Sequence, residues 1–249
     1  LTEKMGYSYQ SGFVQIPAWR VDILHEVDII EDIAIAYGYE NFVPEIPKIS
    51  TTGEEDKKET TKRKISEILS GIGMIEVSNY HLTNKKDQIE KMGFSEKERN
   101  IEVEISKTDY SVLRGNLNHL LLKNLSENID SEYPQQIFEV GKIFFQEKTD
   151  DKIKEKTLLT VAISPGNFTK IRQTLEYLFK MIGKKIIVRG TENFPSFFIE
   201  GRTAEITFNE KAIGFMGEIH PRILKNWKIK MPIALFEIEL DDVFEELLK

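Results

Sequence analysis

Four acidic residues near the N-terminus have types and spacing that could support chemistry. Asp28, Glu31 and Asp32 share one face of a predicted helix, at positions i, i+3 and i+4, and Asp22 lies in the segment before it. Converging carboxylates repel one another unless a cation lies among them, and a ligand set made only of oxygens suits magnesium. Alternatively, acids in a first helical turn cap its amides and complement its dipole. Residue types alone leave both interpretations open.

The other residue types that carry chemistry form no recognisable site. No two of the histidines have a metal-ligand spacing such as i, i+4, so we expect each to be structural or exposed. They are His25, His81, His119 and His220. Arg114 and Arg202 could each contact an anion, but we expect ion pairs. Gly-x-Ser-x-Gly and Walker motifs are absent from the sequence. We therefore predict neither catalytic nor cofactor-binding residues.

Composition excludes several function classes. The chain has 249 residues, of which 40% are hydrophobic and 30% charged, enough for one large domain or two smaller ones. It has no cysteine, which excludes disulfides and thiolate metal sites, and its net charge of −7 disfavours general polyanion binding. No apolar run approaches the ~20 residues that span a bilayer, and the first residues lack a signal-peptide core. We expect a cytoplasmic protein whose natural chain begins further upstream.

The acidic residues lie in a predicted first domain, residues 1–48. A short strand is predicted over 13–16. Asp28 is the predicted N-cap of the following helix, Glu31 completes a capping box, and the helix ends near Gly38. Prolines and a polar, charged stretch over 44–58 predict a linker, so we place the domain boundary near residue 48.

The second predicted domain, residues 49–249, has an α+β pattern. Helices are predicted over 59–69, 113–129, 168–182, 221–227 and after Asp241. Strands are predicted over 74–82, 101–105, 136–145 with a break at Gly141, 158–164, 185–188, 203–208, 212–217 and 233–240. Because most strands adjoin other strands, the order favours a mainly antiparallel sheet with helices packed on one face.

The sequence over 14–23 is Val-Gln-Ile-Pro-Ala-Trp-Arg-Val-Asp-Ile, and that over 28–39 is Asp-Ile-Ile-Glu-Asp-Ile-Ala-Ile-Ala-Tyr-Gly-Tyr. These stretches resemble the B5 domain of phenylalanyl-tRNA synthetase beta subunits, most closely the archaeal and eukaryotic type. Further matches follow in the family's order, at 73–77, 80–83, 113–117, 138–141, 200–206 and 214–221. The resemblance therefore covers nearly the whole chain.

The resemblance implies a fold without an active site. Residues 1–48 would be a partial, winged-helix-like B5 domain, and residues 49–249 a catalytic-like module with the class II aminoacyl-tRNA synthetase antiparallel sheet. The strand over 138–145 lacks the Phe-Arg-x-Glu of motif 2, and Gly-Glu-Ile-His-Pro over 217–221 replaces the motif 3 arginine pattern. Without these charges the transition state of adenylation would lack its main stabilisation. The fragment alone is expected to be inactive.

The resemblance also implies partners and a metal. The chain would be a scaffold for the alpha subunit in an alpha2beta2 phenylalanine–tRNA ligase, which binds tRNA-Phe as an assembly. Its Mg²⁺, shared with the alpha subunit, would bind Asp22, Asp28, Glu31 and Asp32, with aspartate at 32 in place of the family's glutamate. The alternatives are a nucleic-acid-binding accessory module without enzyme activity and a free enzyme with nucleotide chemistry. The first would use a basic run of Lys57, Lys58, Lys62, Arg63 and Lys64.

Overall fold

The computed structural model describes residues 1–48, 53–94, 101–104, 106–147 and 152–247. The chain divides into two compact units, Leu1–Glu54 and Glu55–Lys249. The sequence predicted a boundary near residue 48. No helix in the described part of the chain has the length and apolar character needed to cross a membrane.

The first unit contains a hairpin and one helix. Strands β1 (Ser8–Gln10) and β2 (Phe13–Gln15) pair antiparallel, after a 3-10 turn at Thr2–Met5. Ser11 and Gly12 join them with φ values of 52° and 88°, as tight hairpin turns require. The strand over 13–16 was predicted, whereas its partner β1 was not.

Helix α1 (Glu26–Tyr37) begins earlier than predicted. Its N-cap is His25, and Asp28 is the third helical residue, so the prediction of Asp28 as the N-cap is wrong. The Asp28 carboxylate reaches back and accepts hydrogen bonds of 2.8 Å from the amides of Leu24 and His25. This is the return half of a capping box, with the acid at its third helical position. The helix ends at Gly38, as predicted.

The second unit is built on a seven-stranded sheet. Its strands are β3 (Ile75–Glu76), β6 (Gln135–Gln146), β7 (Ile153–Ser164), β8 (Ile187–Gly190), β9 (Phe198–Phe208), β10 (Lys211–Ile219) and β11 (Ala234–Glu239). Their order is β3-β6-β7-β11-β10-β9-β8, and every pair is antiparallel except β3 with β6. Two short strands, β4 (Leu82–Thr83) and β5 (Val112–Leu113), pair separately. The mainly antiparallel sheet was therefore correctly predicted.

Helices cover both faces of this sheet, so the prediction of helices on one face is wrong. The helices are α2 (Lys57–Gly71), α3 (Asn118–Glu127), α4 (Phe168–Met181), α5 (Pro221–Asn226) and α6 (Asp241–Leu247). Helices α2, α4 and α6 share one core with Phe138 and Phe236. Helices α3 and α5 share another with Ile137 and Leu235. Because successive strand residues face opposite sides, these central strands are apolar on both faces and need cover on both.

Several predicted elements differ from those observed. The strand predicted over 74–82 is reduced to β3 and β4, and the helix over 113–129 is the shorter α3. Residues 101–104 form only an isolated bridge, Glu102 with Val112, and residue 105 lies outside the described residues. Strand β6 runs unbroken through Gly141. A Cβ there would lie 2.5 Å from Nη2 of Arg114, so this glycine leaves room for a guanidinium and does not interrupt the strand.

Candidate functional site

The acidic cluster of the first unit is organised around Arg20. Its Nη2 lies 2.7 Å from Oδ2 of Asp22, and its Nη1 lies 2.6 Å from Oδ2 of Asp32. The hydroxyl of Tyr7 also donates to Asp32. The structure therefore brings together two of the predicted ligands, Asp22 and Asp32, through a guanidinium.

Protein donors keep three of the four acids ionised. Hydrogen bonds from Arg20 lower the pKa of Asp22 and of Asp32 below the ordinary aspartate value. The amides of His25 and Leu24 lower the pKa of Asp28 in the same way. Negative charge is thus maintained at neutral pH, and it is already compensated within the chain.

These four carboxylates have suitable chemistry for Mg²⁺, but their arrangement does not fit it. Asp22, Asp28 and Asp32 accept protein donors, and Glu31 is exposed. Among the described residues, no group of three or more His, Asp or Glu side chains is positioned to hold a metal ion. A cation at this place would have to compete with Arg20 for two of its ligands.

The predicted basic run on α2 is partly neutralised by neighbouring acids. Nζ of Lys62 lies 2.7 Å from Oε1 of Glu59. Arg63 forms ion pairs with Glu55 at 3.0 Å and Glu67 at 3.2 Å. Positive charge on this helix is therefore interleaved with negative charge, which weakens attraction for a phosphate backbone.

A cavity of about 360 Å³ lies against the large sheet of the second unit. Its walls come from β6, β7, β10 and β11, from residues around the start of α3, and from several phenylalanines. Its lining includes Phe94, Asn118, Lys156, Phe197, Phe215 and Glu237. Such a volume falls at the lower end of the range for small-molecule sites, roughly 300–1,000 Å³.

Glu237 lies in the wall of this cavity. Its Oε2 accepts from the amide of Leu117 at 2.9 Å and from Oγ1 of Thr160 at 2.7 Å. Its Oε1 accepts from Nδ2 of Asn118 at 2.9 Å. Burial raises the pKa of Glu237 despite these three donors. The nearby cation, Lys156, pairs with Glu239 at 2.7 Å.

The two arginines singled out by sequence both form ion pairs, as expected. Arg114 and Glu139 are 2% and 3% exposed, and their Nη1 and Oε1 atoms lie 2.7 Å apart. Arg114 also donates to the carbonyls of Asn79 and Lys142. Arg202 pairs with Glu218 at 2.6 Å on the surface. Because Arg114 is buried and donates to three protein oxygens, it is not available to an outside anion.

The four histidines have local structural contacts. His119 is fully buried between Asn116 and Thr83, and burial lowers its pKa to about 3. His25 precedes α1, and Nδ1 of His220 accepts from the amide of Arg222 at the start of α5. His81 packs edge-on against Phe144. These contacts agree with the structural roles expected.

Sequence reasoning did not identify the polar wall of the cavity. One signal was present: Glu237 and Glu239 alternate with the buried Phe236 and Ile238 along β11, which places the two acids on one face. No local pattern linked them to Asn118, which lies 119 residues from Glu237.

Comparison with protein families gives two matches. The family described as "Phenylalanyl tRNA synthetase beta chain CLM domain" matches residues 43–240. The family described as "tRNA synthetase B5 domain" matches residues 2–39. Together they cover most of both compact units.

Individual proteins agree with these families. The phenylalanine–tRNA ligase beta subunit of Pyrococcus abyssi is 37% identical over 255 residues, covering 98% of this chain and 45% of that protein. That of Thermococcus sibiricus is 38% identical, covering 96% and 44%. This chain therefore spans less than half the length of these relatives.

Among solved structures, a Desulfitobacterium hafniense pyrrolysyl tRNA synthetase, PylSc, is similar with a TM-score of 0.60. The match covers 77% of this chain and 67% of that chain at 14% sequence identity. This likeness concerns the fold alone. It supports the predicted α+β class II synthetase architecture, with a large sheet and flanking helices.

Proposed function

The chain belongs to the phenylalanyl-tRNA synthetase beta chain family, and from this premise we propose that it is a non-catalytic portion of phenylalanine–tRNA ligase. In that enzyme ATP, phenylalanine and tRNA-Phe give Phe-tRNA-Phe. The second unit would act as a scaffold for the alpha subunit in an alpha2beta2 assembly, which would bind the tRNA. The proposed location is the cytoplasm.

The charge of the sheet cavity is the observation that carries the non-catalytic role. Its walls contain the carboxylates of Glu237 and Glu239, and its lysine, Lys156, already pairs with Glu239. Arg114, which precedes α3 in the sequence, is buried and forms an ion pair with Glu139. A triphosphate requires positive charge that strengthens as phosphoryl or adenylyl transfer proceeds. An acidic wall without a free guanidinium opposes such chemistry.

The exposed apolar surface of the first unit supports a protein partner. None of the residues of α1, all of which the structure describes, is fully buried. Val27 and Ile30, one turn apart on that helix, are 68% and 61% exposed, and Trp19 and Leu24 nearby are 67% and 78% exposed. Groups of exposed apolar side chains commonly mark interaction surfaces. We assign this surface to contact with the alpha subunit.

Gel filtration of the purified chain with the alpha subunit tests the proposal. The two should comigrate, and ATP–pyrophosphate exchange should occur with the alpha subunit present but not with the chain alone. Separate elution at micromolar concentrations would contradict the scaffold role. Exchange by the chain alone would contradict the absence of catalysis.

Magnesium is the finer part of the proposal. We propose that Mg²⁺ binds Asp22, Asp28, Glu31 and Asp32 in the assembled enzyme and not in the isolated chain. The support is the four-carboxylate composition of this set. In the chain alone, Arg20 compensates two of these charges and so opposes the metal. The alpha subunit would have to draw Arg20 away before the metal could bind.

A further inference from the structure

We propose that the cavity of the second unit binds a small primary amine with an apolar body, whose ammonium group contacts Glu237. This binding site is separate from the scaffold role and does not depend on the alpha subunit.

The Glu237 carboxyl group lacks a cationic partner. Its three donors are a backbone amide, a hydroxyl and a side-chain amide, all of them neutral. In the part of the chain that the structure describes, no lysine, arginine or histidine forms an ion pair with it. A carboxylate at a cavity wall with only neutral donors favours a cation as its remaining neighbour.

Asn118 holds the Glu237 carboxylate in place at the cavity wall. The residue is 4% exposed, and its Oδ1 has no hydrogen-bond partner among the described residues. The amide cannot be reversed to solve this, because its Nδ2 donates to Oε1 of Glu237. This oxygen has almost no accessible surface, so it does not face the cavity, and the part of Asn118 in the site is to hold the Glu237 carboxylate through Nδ2. An ammonium group has three N–H donors and can serve both carboxylate oxygens of Glu237.

Aromatic side chains define the rest of the ligand. Phe94 and Phe197 pack edge to face at 5.7 Å, and the rings of Phe197 and Phe198 lie 4.4 Å apart. Phe215, the cross-strand neighbour of Glu237, also lines the cavity. Such walls accept an apolar body and favour a cation over an anion through their ring faces.

The same walls disfavour acidic ligands. Glu237 and Glu239 both line the cavity, and the cation that could receive a carboxylate, Lys156, is held by Glu239 and lies 5.1 Å from the ring centre of Phe145. A phosphate or a free amino acid would bring a negative charge against these carboxylates. The ligand class is therefore an amine without an acid group.

Calorimetric titration of the full chain with 2-phenylethylamine at pH 7 tests the proposal. We expect saturable binding at one site per chain. The neutral analogue 2-phenylethanol should bind at least tenfold more weakly, and phenylacetate should not bind. The proposal is overturned by absence of saturable amine binding, or by equal affinity for the amine and the alcohol.

Variants place the binding at this cavity. Glu237→Gln should weaken amine binding at least tenfold, whereas Glu205→Gln, on the same sheet but outside the cavity, should leave it unchanged. Because Glu237 also joins β11 to α3, Glu237→Gln could fail to fold, so Phe215→Ala is the second variant. Phe215 is only partly buried, and its removal should weaken binding at least threefold without unfolding the chain. Wild-type affinity in either folded variant would refute the assignment, whatever the result of mixing with the alpha subunit.

Discussion

Arg20 determines the charge balance of the acidic cluster in the first unit. One guanidinium contacts both Asp22 and Asp32, and Asp28 is held separately by backbone amides. Glu31 is the exposed member of the set. Substitution of any of the three aspartates would therefore also disturb the local structure. Substitution of Glu31 would not, so it reports on metal binding alone.

Substitution of Glu31 separates metal binding from folding. In the assembled enzyme, Glu31→Gln should abolish most of the rise in melting temperature that Mg²⁺ produces, while the melting temperature of the isolated chain stays unchanged. Asp28→Asn should lower melting with and without Mg²⁺, because Asp28 also accepts two amides at the start of α1. Thermal melts across a Mg²⁺ titration measure both effects. A wild-type assembly whose melting does not respond to Mg²⁺ would argue against the site.

His119 makes the second unit sensitive to acid. Its pKa is about 3 in the folded chain, below the ordinary value of 6.5, because it is buried. Below pH 6.5 His119 is protonated in the unfolded chain but stays neutral in the folded chain. The free energy of unfolding is therefore highest above pH 6.5 and falls as the pH drops towards 3. The loss is about 1.4 kcal/mol per pH unit.

Urea unfolding at pH 7 and pH 5 checks this effect. From pH 7 to pH 5 the free energy of unfolding of wild type should fall by about 2 kcal/mol more than that of His119→Gln, because only wild type carries the titrating ring. The comparison cancels the other ionisable groups. An equal fall in the free energy of unfolding of the two proteins would show that His119 is protonated in the folded chain as readily as in the unfolded chain.

At the scale of elements, β10 and β11 approach too closely at Gly214 for a side chain. A Cβ there would lie 1.9 Å from the carbonyl oxygen of Glu237. Gly214→Ala should therefore push β10 from β11 and destabilise the chain by about 1–3 kcal/mol. Gly190→Ala is the matched control on β8, because its Cβ would meet nothing within 4 Å. Denaturant unfolding of both variants measures the difference, and equal stabilities would contradict the close approach.

Elements with strong local signals were predicted well. Helix α4 differs from its prediction by one residue, because its apolar positions follow a helical period and Asn167 caps its start. The hairpin predicted across 209–211 is confirmed, but its turn has only two residues, Asn209 and Glu210, both at positive φ, because Lys211 already pairs in β10. Asparagine favours that conformation, whereas the glutamate adopts it because the β9–β10 pairing requires it.

Elements governed by distant contacts were predicted poorly. Gly141 was expected to break a strand, but it accommodates Arg114, which the sequence places 27 residues earlier. Helix α1 was predicted to begin at Asp28 because aspartate favours N-cap positions. The N-cap is His25, and the Asp28 side chain accepts a hydrogen bond from its backbone amide. The acidic set was found from helical spacing, whereas the role of Arg20 and the wall formed by Asn118 and Glu237 depend on tertiary contacts.

At the scale of the whole molecule, the two units bury their apolar side chains to different degrees. The second unit has large cores on both faces of its sheet. In the described residues of the first unit, Tyr7 is the one hydrophobic side chain in the buried class. Partner binding should therefore depend more on apolar groups of the first unit than on those of the second.

A double substitution tests this dependence. Val27→Ser with Ile30→Ser should lower the affinity for the alpha subunit at least tenfold, because both side chains are exposed in the chain alone. Met181→Ser, at a residue 54% exposed at the end of α4, is the control and should bind as wild type does. Circular dichroism should report unchanged folding for all. Undiminished binding by the double variant would exclude this face of α1 as the contact.

The buried pair of Arg114 and Glu139 also restricts how this module can evolve. An arginine at position 139 would set two guanidinium groups against each other, since Nη1 of Arg114 lies 2.7 Å from Oε1 of Glu139. Loss of either partner alone leaves a buried charge unpaired and lowers the free energy of unfolding by about 3–5 kcal/mol. This is a large share of the stability of a typical domain. Each single mutational step towards an anion-binding strand therefore passes through a poorly folded intermediate. A change to an anion-binding residue at either position is therefore tolerated only if the other residue of the pair changes with it.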